Sequence, residues 1–275
     1  MDDTIKVSVL QCGSVVVASC QLFNTAGKGL LSMALFNNRK PDQRVTIPVY
    51  ASLIEHPKGK MLFDTGWTKR IRENMRKEMG IERLTDIPTL PEGQAVDEQL
   101  AARGLSAEDM DYIFLSHLHS DHVGGLGSLG GAKRIMVNDV EWAAANDRHN
   151  HLVYATKYWQ GMDITTYHME ETGIGPVGRS YDVFGDGTVL MVSLPGHTLG
   201  LAGCLIRNHG KKLLLAADCG FNRESWRQMI MPTLCPDKDG IVRSYNWINE
   251  LMNDAATLDC TTAHESDLPN REFEL

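Results

Sequence analysis

Residues 117–122 read "HLHSDH", directly after the apolar run Tyr112-Ile113-Phe114-Leu115. A short apolar run that stops at a polar turn is the signature of a buried strand ending. Three of the chain's ten histidines, with an aspartate, therefore meet in one turn at a strand end. In extended backbone His117 and His119 project to the same side, with room for one ion between them. Asp121 and His122 follow as the chain turns, and Gly124-Gly125 allow backbone to pass close beneath. Neutral imidazole and carboxylate are ligands for zinc, iron or manganese, and a metal site draws several of them from different segments. A chain that uses this turn must therefore bring other ligands to it.

Other strand ends supply them. "VSLPGHTLG" puts His197 just past a strand and a Pro-Gly turn, "KLLLAADCG" closes a strand on Asp218, and "LDCTTAHES" closes another on His264. A single histidine after a strand is more often a surface or core residue. Four strand ends in chain order, each finishing on a ligand type, point together to one metal centre.

The rest of the pattern is α/β. "IKVSVL", "SVVVAS", "TIPVYASLIEH" and "KMLFDTG" read as strands, the last two joined by a Pro-Lys-Gly turn. Residues 21–44 read as a polar loop with a short apolar piece, and 67–91 as a charged helix with a Pro-rich exit. "GQAVDEQLAARG" reads as a helix capped by Gly104, and "SAED" at 106–109 has capping-box spacing. "DVEWAAAND", "NRESWRQMIM" and "VRSYNWINELMNDA" read as helices, and "CLIRNHGKKLLL" as a hairpin around Asn-His-Gly. Residues 148–182 have poor periodicity and suggest a lid-like insertion in a single domain spanning 1–275. Two sheets with outer helices are expected.

Composition narrows the function. A net charge of −8 argues against nucleic acid as a partner, and the basic cluster in 68–78 is interleaved with glutamate like a solvated helix face. A small neutral or anionic substrate fits better. The longest apolar runs are far too short to span a bilayer, and the acidic start lacks a secretory signal, so a cytoplasmic protein without a membrane partner is expected. Six cysteines without a CxxC pair read as free thiols. Cys219, next to Asp218, is either a buried structural thiol or a redox-sensitive one. Without a GxSxG elbow, no separate nucleophilic serine is expected.

Taken together, "FDTG" (63–66), "HLHSDH" (117–122), "PGHTLG" (195–200), "LAAD" (215–218) and "AHE" (263–265) resemble the metallo-β-lactamase-fold hydrolases over nearly the whole chain. The resemblance implies a four-layer αββα sandwich with two divalent metal ions at one edge, zinc first, with manganese or iron as alternatives. It implies His117, His119 and His197 on one metal, Asp121, His122 and His264 on the other, and Asp218 bridging them. Asp64 would orient a ligand imidazole from behind. A metal pair suits hydrolysis by a metal-bound hydroxide, because it acidifies water and polarises a carbonyl. Asp121 would hold or relay a proton to the leaving alkoxide.

Within that family the chain looks most like the N-acyl-homoserine lactone lactonases, known for quorum quenching, and the related pyridoxolactonases. A lactone or similar carboxylic ester is the expected substrate. The alternatives are a glyoxalase II-like thioester hydrolase and, from another class, a mononuclear iron oxidoreductase of the persulfide dioxygenase type. His119 and Asp218 separate the chain from the flavodiiron proteins and from the exported β-lactamases respectively. One departure is Phe221, where the lactonases carry a tyrosine three residues after the bridging aspartate. Phe221 and Trp67 are the expected substrate contacts; Tyr154, Tyr158 and Trp159 lie in segments expected to cover the metal edge, where they either form an apolar pocket or pack the lid onto its own domain.

Overall fold

The computed structural model describes residues 3–23, 41–151, 153–268 and 271–275. The polar loop expected over 21–44 lies mostly outside the described residues. Seven strands in chain order begin the fold: β1 (Lys6–Ala18), β2 (Arg44–His56), β3 (Gly59–Phe63), β4 (Ile87–Thr89), β5 (Tyr112–Leu115), β6 (Ile135–Asn138) and β7 (Ile164–Tyr167). Then follow β8 (Glu170–Glu171), β9 (Arg179–Asp182), β10 (Val189–Ser193), β11 (Ala202–Asn208), β12 (Lys211–Leu215), β13 (Thr257–Thr261) and β14 (Glu272–Glu274). The first sheet runs β14-β1-β2-β3-β5-β6-β7 with β4 beside β1; the second runs β13-β12-β11-β10-β9-β8.

Alternation builds the layers. Met61 and Phe63 of β3 and Phe114 of β5 face the second sheet and pack with Met191, Leu205 and Leu214. Their neighbours Leu62, Ile113 and Leu115 point the other way, onto Val96, Leu100 and Leu126. A strand buried on both faces needs apolar residues at consecutive positions, which is why these strands read as unbroken apolar runs. Helix Lys238–Met252 covers the far face of the second sheet through Ile241, Tyr245 and Ile248. Helix Val96–Ala102 covers the outer face of the first. The result is the expected αββα sandwich.

Local signals behave as expected. The β11–β12 hairpin turns at His209 and Gly210, both with positive φ, as a two-residue turn of this kind requires. Ser106 and Asp109 form the expected capping contact, with the Ser106 amide donating to Asp109 Oδ2 at 2.8 Å. "IKVSVL" and "SVVVAS" are one strand rather than two, joined across a register shift between Gln11 and Ser14.

Two expectations change. The Pro-rich exit after the charged helix contains β4, paired antiparallel with β1; its one-sided pairing at a sheet margin tolerates Pro88. The stretch 148–182 is not one lid. Residues 164–182 supply edge strands to both sheets, and their half-exposed faces explain the weak periodicity. Among its described residues, the part around Val153 and Tyr154 reaches the metal edge. Among the described residues no helix is long and apolar enough to cross a membrane.

Candidate metal centre

All seven ligand-type side chains converge at one edge of the sandwich. After β5 the chain stays extended through His119, which precedes the helical turn Ser120–Val123. His117 Nε2 and His197 Nε2 each lie 3.0 Å from His119 Nδ1. A second group, Asp121, His122 and His264, also offers ligand atoms within 4.8 Å of one another. Asp218 stands between the groups. Its Oδ2 lies 3.9 Å from His117 Nε2 and 3.4 Å from His197 Nε2. Its Oδ1 lies 3.2 Å from His122 Nε2 and 3.3 Å from His264 Nε2.

Supporting contacts come from distant segments. Asp64, at φ 63°, sits in a left-handed conformation that a non-glycine residue adopts at a cost of about 1–3 kcal/mol. That geometry lets its carboxylate accept from the Ser116 amide and from Ser116 Oγ, both at 2.8 Å. It also accepts from His122 Nδ1 at 2.8 Å. Ser116 Oγ in turn lies 2.9 Å from His117 Nδ1. His264 Nδ1 donates to the Pro48 carbonyl at 2.7 Å. The Asp64 turn and the histidine turn touch through backbone, with the Thr65 amide donating to the His122 carbonyl at 2.8 Å. A Cβ on Gly125 would stand 2.3 Å from the Thr65 carbonyl oxygen, so only glycine fits there.

The donor set fits cations. His122 Nε2 and Asp218 Oδ1 are fully buried and, although 3.2 Å apart, lie outside hydrogen-bond geometry with each other and with the other described residues. A buried polar atom without a partner is costly. Tetrahedral zinc with bonds near 2.0 Å would set its ligands roughly 3.3 Å apart, close to the spacing among these nitrogens.

Electrostatics divides the centre in two. Burial and neighbouring imidazoles hold His117 well below its ordinary pKa. Burial also pulls His119 down to about 4 and His197 to about 3, although Asp218 pulls the other way in both. For His122 burial is outweighed by the carboxylates of Asp218, Asp121 and Asp64, and the pKa rises. His264 rises likewise through Asp218 and Asp121. Against its own burial, Asp218 is held well below the usual carboxylate range by His264 and His122.

A cavity of about 370 Å³ opens above the centre, floored by His119, Asp121, His197, Asp218 and His264. Trp67 and Phe221 line it, with Val15, Val17 and Ile47 beside them. Phe221 stacks on His264 at 5.4 Å and meets His197 edge-on at 6.0 Å.

A profile of the metallo-beta-lactamase superfamily matches residues 44–256. The chain belongs to this superfamily. Among curated relatives it is 30% identical over 269 residues to the N-acyl homoserine lactonase AttM of Agrobacterium fabrum, covering 96% of this chain and 94% of that one. It is 27% identical over 211 residues to the N-acyl homoserine lactonase of Bacillus cereus, covering 76% and 78% respectively. Among solved structures, an N-acyl homoserine lactone hydrolase with N-hexanoyl-L-homoserine at its catalytic metal center shares the fold. It superposes at TM-score 0.71 with 21% identity, over 94% of this chain and 93% of the other. The dizinc quorum-quenching lactonase AidC does so at TM-score 0.64 with 17% identity, over 96% and 88%.

Of the aromatic residues in the 148–182 stretch, Tyr158 and Trp159 pack into the outer-face core, the second of the two expected arrangements. Tyr154 does stay near the centre, its ring 5.5 Å from His119. Cys219 is a buried thiol whose pKa burial pushes upward, which fits the structural alternative. Two supports went unread in the sequence. Ser116 opens the histidine turn but looks like any turn serine. Glu141, fully buried, accepts from the Leu118 amide at 3.1 Å and the Gly200 amide at 3.2 Å. An acidic residue in a helix's first turn gives no sign of that.

Proposed function

We propose that this superfamily member is a metal-dependent hydrolase that opens a lactone or a closely related carboxylic ester. Asp218 carries the reading: its two oxygens face two separate imidazole groups. The 30% identity to an N-acyl homoserine lactonase, over 96% of this chain, supports the choice of substrate class.

His117, His119 and His197 would hold one divalent ion, Asp121, His122 and His264 a second, and Asp218 both. Zinc is the proposed metal, with manganese or iron as alternatives. Bound ions would acidify a water molecule and polarise the ester carbonyl. The rest falls to the chain. Asp64 and the Pro48 carbonyl take the Nδ1 protons of His122 and His264, which leaves each Nε2 lone pair toward the centre. Asp121 lies on the cavity floor, its Oδ2 3.6 Å from His264 Nε2. There it takes the proton released during attack and returns it to the departing alkoxide. Phe221 closes one wall and offers no hydroxyl to the substrate carbonyl. Six free cysteines suit a reducing, cytoplasmic setting.

The test is a screen of lactones, thioesters and phosphodiesters at fixed zinc and manganese. Ring opening of a lactone, followed by proton release, is the expected result. Activity confined to thioesters sinks the lactone assignment, and one iron without zinc by mass spectrometry sinks the dinuclear hydrolase.

A further inference from the structure

The segment that carries Phe221 and the segment that carries His264 lie side by side, tied by two rungs. Thr262 Oγ1 donates to the Phe221 carbonyl at 2.9 Å, and the Arg223 amide donates to Glu265 Oε2 at 2.8 Å. Between the rungs the Phe221 ring stacks on the His264 imidazole. The Arg223 side chain then reaches across to the carboxylates on either side of the ligand. Its Nε and Nη2 donate to the two oxygens of Asp259, on β13, at 3.3 and 2.8 Å. Its Nη1 donates to Asp267 Oδ1 at 2.8 Å and stands 3.5 Å from Glu265 Oε2. One guanidinium thus spans the strand before His264 and the turn after it, a fork that the single ammonium of a lysine does not offer.

Burial makes this arrangement consequential. The side chains of Arg223, Asp259 and Glu265 keep only 15%, 9% and 10% of their surface in solvent. Among the described residues neither Glu265 nor Asp267 pairs with another cation. A buried carboxylate that loses its cation is left uncompensated, and it gains most by turning out to water. For Glu265 that turn pulls on the backbone it shares with His264. His264 has little slack for such a pull, because its Nδ1 bond to the Pro48 carbonyl joins the end of the second sheet to β2 of the first. Arg271 is the natural contrast. It donates to Asp259 Oδ2 at 2.7 Å and, among the described residues, forms no ion pair with Glu265 or Asp267.

We propose that Arg223 is a positioning residue for His264: by holding Glu265, Asp267 and Asp259 together it keeps the imidazole between the Phe221 ring and the Pro48 carbonyl, with Nε2 toward the centre. The inference rests on the two-metal reading of that centre. Zinc-loaded samples of the unmodified protein, Arg223→Gln and Arg271→Gln are titrated with a chelator while released zinc is counted. In parallel, NMR follows the hydrogen-bonded Nδ1 proton of His264, assigned by its absence in His264→Ala. In Arg223→Gln one metal equivalent is expected to leave at about tenfold lower chelator concentration while the other stays, and the His264 proton signal is expected to vanish. Arg271→Gln, which takes a guanidinium from the same Asp259, should keep both release steps and the signal. Release that is unchanged in Arg223→Gln, shifted alike for both equivalents, or matched by Arg271→Gln overturns the proposal and leaves the two-metal reading intact. If the unmodified protein releases a single equivalent, that reading fails, and the NMR signal decides alone. Its loss confined to Arg223→Gln then supports the role, and its retention there overturns it. Should Arg223→Gln not fold, Glu265→Gln keeps an oxygen for the Arg223 amide and removes the charge. The same early release at reduced size is expected of it, and unchanged release overturns the proposal.

Discussion

In the half of the centre formed by Asp121, His122 and His264, each imidazole is braced from behind, by Asp64 at 2.8 Å and by the Pro48 carbonyl at 2.7 Å. In the half formed by His117, His119 and His197, only His117 has a side-chain brace, through Ser116. His119 Nε2 and His197 Nδ1 have no hydrogen-bond partner among the described residues. Glu141 instead fixes nearby backbone, taking the amides of Leu118, beside His119, and of Gly200, three residues after His197. One half is oriented by its side chains, the other by the chain that carries it. Carboxylates crowd the first of these and raise the proton affinity of its histidines, whereas burial lowers that of the other three. Two ions held by this centre would therefore not be equivalent, although their ligands look alike in sequence.

The largest expected effect removes the residue common to both halves. Asp218→Ala should lower hydrolysis by about 10³-fold or more, and elemental analysis should find less than two metal equivalents. Full activity in this variant would break the dinuclear reading. The next test separates the halves. Asp64→Asn should weaken metal binding about 10–100-fold and, in a chelator titration followed by metal stoichiometry, make one equivalent leave well before the other. Glu141→Gln should instead loosen His119 and His197 together and cost about 1–3 kcal/mol in denaturant unfolding. Identical metal-release curves for the two variants would erase the distinction.

Asp86 offers a contrast with the braced carboxylates of the centre. Its pKa stands raised from 3.8 to about 6, so the folded state holds the proton more tightly than the unfolded chain. The stability linked to this proton is present below about pH 4 and is lost as pH rises through about 6. Asp86→Asn should therefore stabilise the protein at pH 7–8 by on the order of 1–3 kcal/mol and add nothing near pH 4, read from paired unfolding curves. A gain equal at both pH values would refute the burial argument. The smallest effect is expected from Phe221→Tyr. A hydroxyl beside His264 and His197 should raise kcat/KM on acyl-homoserine lactones by less than about tenfold, and a loss would mean that the wall needs the ring unsubstituted.

Much of this was legible beforehand because it is local. Apolar runs marked strands buried on both faces, Asn-His-Gly marked a tight hairpin, and HxHxDH marked a metal turn. The failures share one cause. β4 reads as a Pro-rich exit because its pairing with β1 cannot be seen from its own residues. The stretch 164–182 reads as a lid because edge strands lack a clean period. Glu141 reads as a helix-start acid because its partners lie 23 and 59 residues away.

The sequence by itself determined the layer architecture, the ligand types and the strand ends on which they sit, since periodicity and coordination chemistry are properties of short segments. Only the tertiary structure decided that Asp218 turns one oxygen to each group of histidines and that Asp64 and Glu141 brace different halves. Those relations depend on which segments the two sheets bring side by side, and no short stretch of chain carries that information.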